Sequence, residues 1–232
     1  MSILYLIRHG QAGTRDNYDS LSELGREQAR LLGAHLRQVP FEAVYCGSLA
    51  RQRATALEAL PDASPLVDPG WDEFDLDQVY REYAPLLCRH DPQFRREFDQ
   101  MQREIEQSQG AADAPIHRKW NHCDRECVRA WIESRYEYSG ETWPMFLDRV
   151  HNALDRLLRS APEGNVAVFT SATPIGIASA RALEIADHRA MWLAGVMFNT
   201  AVTTIRLNAG EARLFTFNGT AHLTEAHHRT FR

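Results

Sequence analysis

Residues 3–13 of the chain read Ile-Leu-Tyr-Leu-Ile-Arg-His-Gly-Gln-Ala-Gly, and this stretch decides the fold. Its first five residues are apolar or β-prone and show no alternation with polar side chains, which is typical of a strand buried on both faces of a sheet. The strand stops abruptly at Arg8, His9 and Gly10. We therefore predict a central strand of an α/β sheet that ends in a cation, an imidazole and a residue without a Cβ atom.

The three residues that end this strand carry chemistry suited to a phosphate group. In open α/β sheets, ligands bind at the carboxyl ends of the strands. Arg8 can hold a phosphate through its guanidinium fork, and His9 can attack phosphorus as a nucleophile. Gly10 lets the backbone turn and lets a ligand approach closely. The alternative is a strand-end arginine beside an ordinary histidine, and these three residues alone do not decide between the two.

Two further blocks accompany the first at a specific order and spacing. Residues 21–29 read Leu-Ser-Glu-Leu-Gly-Arg-Glu-Gln-Ala, and residues 48–56 read Ser-Leu-Ala-Arg-Gln-Arg-Ala-Thr-Ala. Together with residues 8–11, they resemble the histidine phosphatase superfamily, the phosphoglycerate-mutase-like group. The resemblance is strong over the first third of the chain and resumes weakly from Gly140. It implies an α/β fold, a three-layer α/β/α sandwich with a mostly parallel sheet.

The resemblance also implies the residues of a site. His9 is the nucleophile that becomes phosphorylated, and Glu73 is the carboxylic acid that protonates the leaving group. The expected phosphate-binding residues are Arg8, Gln11, Arg51, Thr170 and Ser171. Without the resemblance, Arg51 would be interpreted as a solvated helix arginine. Because the arginines carry the positive charge, no metal and no other cofactor is expected, and the expected partner is a small phosphorylated substrate.

The acid lies in an acidic run, residues 72–77, that reads Asp-Glu-Phe-Asp-Leu-Asp. A general acid needs a raised pKa, and partial burial beside Trp71 and Phe74 would raise the pKa of Glu73. Asp72 and Asp75 are its rivals for the role. The simpler alternative is a solvated acidic loop.

Composition and charge narrow the class of protein. The chain has 232 residues, 25% of them charged and 44% hydrophobic, which is ordinary for a globular protein with a sizeable core. The formal net charge of -5 provides no basic field for nucleic acid. Four cysteines at this length indicate a reducing compartment, and Met1 leads directly into the first strand. We expect a cytoplasmic protein that binds neither nucleic acid nor a membrane, and the oligomeric state cannot be inferred.

Helix and strand patterns alternate along much of the chain. Ser20 and Glu23 have capping-box spacing before a helix that ends ahead of Pro40. The other elements outside the insertion are a strand at 41–46, a helix from about 48 to Pro61, an amphipathic helix after Thr142, a strand at 165–170, a helix at 175–183, and strands at 202–207 and 213–217 joined by a hairpin turn. This alternation favours helices packed on a mostly parallel sheet.

The resemblance does not explain residues 79–139. We expect one domain, residues 1–232, with a helical insertion at about 77–139 that caps the pocket. Phe94, Phe98, Met101 and Ile105 recur at helical spacing, and a loop is predicted around residues 110–115. Zinc binding is an alternative suggested by four residues: His117, His122, Cys123 and Cys127. Their spacing matches no tight metal knuckle, so packing of the cysteines on one helix face is the better interpretation.

The chain departs from the resemblance at Ser171. The family has a second histidine just after the strand at 165–170, and Ser171 stands in its place. A hydroxyl donates one hydrogen bond to phosphate but brings no positive charge. His222, in a C-terminal segment that also resembles the family, is one histidine that could compensate.

These residues favour a phosphomonoester hydrolase that acts through a phosphohistidine on His9 and is slow because the second histidine is missing. The alternative is a catalytically weak regulatory module that binds a phosphorylated ligand. A mutase is less favoured, because the chain lacks the Trp- and Asn-containing stretch by which the cofactor-dependent mutases resemble one another. The identity of the substrate cannot be inferred, since the matching residues handle only the phosphoryl group.

Overall fold

The computed structural model describes residues 2–14, 17–108, 116, 120–160, 162–208 and 211–231. The chain divides into two compact units. One comprises residues 1–73 and 147–232, and the other comprises residues 74–146. The larger unit contains the sheet and the three sequence blocks, and the smaller unit is helical.

The larger unit is built on a six-stranded sheet with the order β3-β2-β4-β1-β5-β6. The strands are β1 (Ser2–Arg8), β2 (Phe41–Cys46), β3 (Leu66–Val67), β4 (Asn165–Thr170), β5 (Val202–Asn208) and β6 (Glu211–Gly219). Strand β1 pairs in parallel with β4 and antiparallel with β5, which in turn is antiparallel to β6. Five of the six described strands therefore run in one direction, and β1 lies inside the sheet as its unbroken apolar run predicts.

The helices that lie wholly in the larger unit are α1 (Glu23–Leu36), α2 (Ala50–Ala59), α7 (Ala172–Ala182) and α8 (Ala190–Gly195). The expected capping box at the start of α1 was wrong by two residues. The N-cap of α1 is Ser22, whose hydroxyl accepts from the Gly25 N–H at 3.0 Å. The Ser20 hydroxyl instead donates to the Asn17 carbonyl at 2.7 Å.

Helices cover both faces of the sheet. On one face, Ile7 and Phe169 pack with Leu32 of α1 and Ala56 of α2 in a buried apolar cluster. Side chains alternate along a strand, so Leu6 and its like-facing neighbours point to the opposite face, where α7 contacts β1 and β5. The three-layer α/β/α sandwich with a mostly parallel sheet is confirmed.

The smaller unit contains α3 (Leu76–His90), α4 (Pro92–Gln107) and α5 (His122–Ile132), and it includes the first residues of α6 (Trp143–Ser160). Its core is aromatic: the Phe74 and Trp131 rings stack with centroids 4.7 Å apart, and Trp143 meets Trp131 edge-on at 5.5 Å. The helix predicted from the spacing of Phe94 and Met101 is α4, and both side chains are buried.

The zinc alternative receives no support from the described residues of this unit. Cys123 and Cys127 are buried on α5 with free thiols. Burial raises the pKa of the Cys123 thiol to about 11 and that of the Cys127 thiol further, which disfavours the thiolate that zinc requires. His122 lies with its Nδ1 atom 2.5 Å from Glu97 Oε2. His117 and the loop expected at 110–115 lie outside the described residues.

The predicted C-terminal hairpin is formed by β5 and β6, and its turn residues 209–210 lie outside the described part of the chain. None of the described helices combines the length and the apolar character needed to span a membrane.

Candidate active site

The carboxyl ends of β1 and β4 place the predicted residues at one edge of the sheet. Arg8 is in register with Thr170 across these two parallel strands. The His9 N–H then donates to the Thr170 carbonyl at 2.9 Å, so the pairing continues one residue beyond β1. Gly47, which leads from β2 toward α2, donates its N–H to the Phe169 carbonyl at 3.0 Å. Three neighbouring strands thus end close to His9.

Two glycines from separate sequence blocks pack their backbones against each other. A Cβ atom on Gly10 would lie 2.4 Å from the Gly25 carbonyl oxygen, and one on Gly25 would lie 2.2 Å from the Gln11 carbonyl oxygen. Neither position can carry a side chain without moving main-chain atoms. The close approach holds the turn after β1 on the start of α1, and it accounts for the glycine in the second block.

His9 is buried, with 2% of its surface exposed, and both of its ring nitrogens have defined neighbours. Its Nδ1 lies 2.7 Å from the Gly10 carbonyl oxygen, which can only accept, so Nδ1 carries the proton. Its Nε2 accepts from Arg51 Nε at 3.3 Å. With the proton on Nδ1, the Nε2 lone pair faces the Arg51 guanidinium. The positive charge of that guanidinium would attract a bound phosphate.

The protonation state of His9 suits a nucleophile. Burial, followed by the charges of Arg51 and Arg8, holds the pKa of His9 well below its ordinary value of 6.5. The imidazole is therefore neutral at physiological pH, and its Nε2 lone pair carries no proton but accepts from Arg51 Nε. The histidine main chain is also fixed, because Asn199 Nδ2 and the Thr200 N–H donate to the His9 carbonyl at 3.2 and 3.3 Å.

Arg51 is brought to His9 by the first turn of α2. Its side chain is buried, its Nη1 donates to Asp19 Oδ1 at 3.0 Å, and its guanidinium carbon lies 4.9 Å from the centre of the Tyr18 ring. Asp19 also accepts from the main-chain N–H groups of Ala50 and Arg51 at 2.9 and 3.2 Å. Asp19 therefore fixes both the arginine and the start of its helix. Asp19 belongs to none of the three sequence blocks, so they did not predict its role.

Arg8 is buried and held by two main-chain carbonyls. Its Nη1 donates to Met197 and its Nη2 donates to Phe231 at 2.6 Å. Burial lowers the pKa of Arg8, although the nearby Tyr18 and Glu73 act in the opposite direction. The influence of Glu73 on Arg8, and of Arg8 on His9, shows that these three side chains share one region of the protein.

The three carboxylates considered for the acid have different partners. Glu73 Oε2 accepts from the Thr173 N–H at 3.2 Å, in the first turn of the helix that follows β4. Asp72 accepts from the main chain and hydroxyl of Ser48, and Asp75 caps α3 through the Gln78 N–H at 2.9 Å. Both aspartates therefore serve the ends of helices, and Glu73 lies at the strand edge with Arg8.

Ser171 and Thr170 are buried at the end of β4, and both hydroxyls have protein partners. Thr170 donates to the Trp71 carbonyl. Gln52, which is fully buried beside Arg51 in the chain, donates from Nε2 to Ser171 Oγ at 2.9 Å, and its Oε1 has no hydrogen-bond partner among the described atoms. Gln52 thus occupies space next to Ser171. No sequence pattern indicated this pairing.

Gln11 is held by Ser22, the residue that caps α1. The Gln11 amide oxygen accepts from the Ser22 hydroxyl at 2.8 Å, so its NH₂ group is the end that can donate.

His222 lies with Nε2 at 3.0 Å from Thr200 Oγ1 and with its ring 5.7 Å from that of His35. Burial and then His35 lower the pKa of His222 to about 4. His222 is therefore a neutral neighbour of the loop that holds His9.

The molecule is therefore an α/β protein that carries a buried, neutral histidine and two arginines at one edge of its sheet. The family model of the histidine phosphatase superfamily (branch 1) matches residues 4–114 and 95–220. The chain belongs to this superfamily.

Solved structures of the same fold cover nearly the whole chain. The α-ribazole phosphatase of Shigella flexneri has 20% identity and a TM-score of 0.60, over 94% of this chain and 96% of that one. Phosphoserine phosphatase of Entamoeba histolytica, in complex with 3-phosphoglyceric acid, has 18% identity and a TM-score of 0.63, over 96% and 100%. Mycobacterial glucosyl-3-phosphoglycerate phosphatase, in complex with VO₃, has 21% identity and a TM-score of 0.62, over 94% and 99%. A search of curated proteins found no match.

Proposed function

We propose that the protein is a phosphomonoester hydrolase that acts through a phosphohistidine intermediate on His9. The observation that carries the proposal is the state of the His9 ring. Its Nδ1 proton is bound by the Gly10 carbonyl, and its Nε2 lone pair faces Arg51. This tautomer supports Nε2 as the attacking atom, and the hydrogen bond from Arg51 Nε must be given up when Nε2 attacks phosphorus.

In the first step, His9 Nε2 attacks the phosphorus atom and the bond to the ester oxygen breaks. Glu73 donates a proton to the departing alkoxide, which leaves as a neutral alcohol. In the second step, water attacks the phosphohistidine, Glu73 accepts a proton from that water, and His9 is released as the neutral imidazole. Positioning and electrostatic stabilisation supply most of the acceleration in phosphoryl transfer.

The charge that develops on the phosphoryl oxygens is met by Arg8 and Arg51, with hydrogen bonds from Gln11, Thr170 and Ser171. The two guanidinium groups carry this role without a metal ion. Gln11 can donate to a phosphoryl oxygen through its NH₂ group, because its amide oxygen already accepts from the Ser22 hydroxyl. Thr170 would first have to give up its bond to the Trp71 carbonyl.

The turnover is expected to be slow. Ser171 offers a hydroxyl where the family has an imidazolium, and loss of one preorganised donor typically costs about 100- to 1,000-fold in rate. The substrate is a small phosphorylated molecule.

The test is rapid quench with a ³²P-labelled phosphate ester identified by a screen of sugar phosphates, nucleotides and phosphoamino acids. An acid-labile, base-stable adduct should form on His9. His9→Ala should lose both the adduct and turnover. His188→Ala, at an exposed histidine, should keep both. Undiminished turnover by His9→Ala would exclude the covalent mechanism.

A second candidate function is a phosphate-binding regulatory module, and the replacement at Ser171 favours it. Two guanidinium groups without a second imidazole can bind an anion and still fail to stabilise its transition state. Calorimetric binding of phosphate by a protein that turns over none of the screened esters would support the module against the hydrolase.

A further inference from the structure

The segment at residues 226–231 is tied to the residues around His9 by polar contacts. The Phe231 carbonyl accepts from Arg8 Nη2 at 2.6 Å. Thr230 Oγ1 donates to Asn199 Oδ1 at 2.9 Å, and Asn199 in turn donates to the His9 carbonyl. The position of this segment therefore bears directly on the placement of Arg8 and His9.

Gln28 of α1 supplies a second connection. Its Nε2 donates to the His228 carbonyl at 2.7 Å, and its Oε1 accepts from the Gln11 N–H at 2.8 Å. The side chain is fully buried. Helix α1 and the 3₁₀ turn Ala226–His228 are thus held together one residue away from Glu27.

Glu27, His227 and His228 meet at this contact. Each offers one ligand atom, and these atoms lie within 4.8 Å of one another. His228 is buried, with its Nε2 3.0 Å from Glu27 Oε1, and its ring centroid lies 4.0 Å from that of His227. Glu27 and His227 are exposed, so a cation can reach the group and both side chains can rotate.

We propose that Glu27, His227 and His228 bind a divalent transition-metal ion, with Zn²⁺ the best match, away from the reacting histidine. Two imidazoles and one carboxylate are a ligand set that zinc accepts, with a water molecule in the fourth position. Ligand atoms about 2.1 Å from one tetrahedral ion lie about 3.4 Å apart. Only a small rotation of the exposed side chains is needed to reach that spacing.

An ion pair between Glu27 and His228 is a simpler account of this contact, but it leaves two features without a role. His227 takes no part in that pair, although its ring lies beside that of His228. His228 Nδ1 is buried and has no hydrogen-bond partner among the described residues. A metal ion uses both imidazoles, and it fastens residues 226–231 to α1.

Zinc binding to the full-length protein, first stripped with a chelator, tests the proposal by equilibrium dialysis with metal analysis and by thermal unfolding. One equivalent should bind and raise Tm. His227→Ala should weaken binding by more than about 100-fold, because even partners outside the ligand set typically contribute about 10- to 100-fold to metal affinity. His227 is exposed, so this variant should fold, and Tm of the zinc-free protein should be unchanged.

His122→Ala is the matched control, because His122 is exposed beside Glu97 and Glu126 without belonging to the cluster. It should bind zinc as the parent does. The proposal is overturned by absence of binding, by binding that His227→Ala leaves intact, or by binding that His122→Ala removes. Since phosphate-ester turnover is not a readout here, the result is independent of the proposed hydrolase activity.

Discussion

Gln52 limits the space for a histidine introduced at position 171. Both residues are buried and their side chains are 2.9 Å apart, so an imidazole at position 171 needs the space that the Gln52 amide fills. A histidine introduced alone overpacks this point, and overpacking a buried site typically costs about 1–3 kcal/mol. A histidine at position 171 therefore has to be considered together with Gln52, which the sequence motifs did not single out.

We expect the double variant Ser171→His/Gln52→Ala to turn over a generic phosphate ester faster than the parent, by up to about 100- to 1,000-fold. The added imidazole supplies charge to the transition state, and the truncation supplies room. Single-turnover kinetics measures the chemical step directly.

The two single variants are the controls for this result. Gln52→Ala should bring no gain, and Ser171→His should gain less than the double variant and should unfold at lower urea concentration. A double variant no faster than the parent would mean that another group already supplies the missing charge.

At the scale of elements, α2 shows why the site could be only partly predicted. The N-cap of α2 is Leu49, which has no side-chain oxygen, so the helix start is capped by Asp19 and the preceding turn by Asp72. The sequence block marked Arg51 as important but contained no sign of which distant carboxylate would fix it. Capping within a block can be read from sequence, whereas capping across about 30 residues depends on the fold.

The predicted strands were located well because their signal is local. The unbroken apolar runs of β1 and β4 and the hairpin pattern of β5 and β6 each predicted an element that the structure contains. The carbonyls of Met197 and Phe231, which hold Arg8, could not be foreseen, because a backbone oxygen is the same at every residue. Prediction therefore succeeded for these strands, and it failed for the main-chain groups that orient Arg8.

The contact between Gly10 and Gly25 makes a prediction about the joining of β1 to α1. Gly25→Ala should lower the free energy of unfolding by about 1–3 kcal/mol, because its Cβ atom would lie 2.2 Å from the Gln11 carbonyl oxygen. The turn after β1 would shift with it, so kcat/KM should fall as well. Urea unfolding and steady-state kinetics measure the two effects.

Gly195→Ala in α8 is the control for this prediction, because a Cβ atom there would have no heavy atom within 4 Å. It should leave stability unchanged or raise it by about 0.4–1 kcal/mol, through the smaller conformational entropy of the unfolded chain. Equal effects of the two alanines would show that the close approach of Gly10 and Gly25 does not constrain the turn.

At the scale of the whole molecule, buried histidines link stability to pH. His9 and His222 both have a pKa below the ordinary 6.5, because burial disfavours the imidazolium. Below about pH 6.5, these two histidines therefore bind protons in the unfolded chain while they stay neutral in the folded protein. The stability that these two histidines contribute is fully present above pH 6.5 and decreases as the pH falls, which is the opposite of a histidine stabilised in its charged form.

His222 provides the measurable case, because its folded pKa is about 4. From neutral pH down to about pH 5, the free energy of unfolding should fall by about 2 kcal/mol from this residue alone. His222→Asn removes the titration and keeps a polar side chain opposite Thr200. The variant should be less stable at pH 7, and its stability should depend less on pH.

Urea unfolding at several pH values between about 5 and 7.5 gives the pH dependence of stability for the parent and the variant, and this pH range avoids most carboxylate titration. His188→Asn, at an exposed histidine, should keep the parental slope. A parental slope in His222→Asn would mean that His222 is protonated in the folded protein as readily as in the unfolded chain.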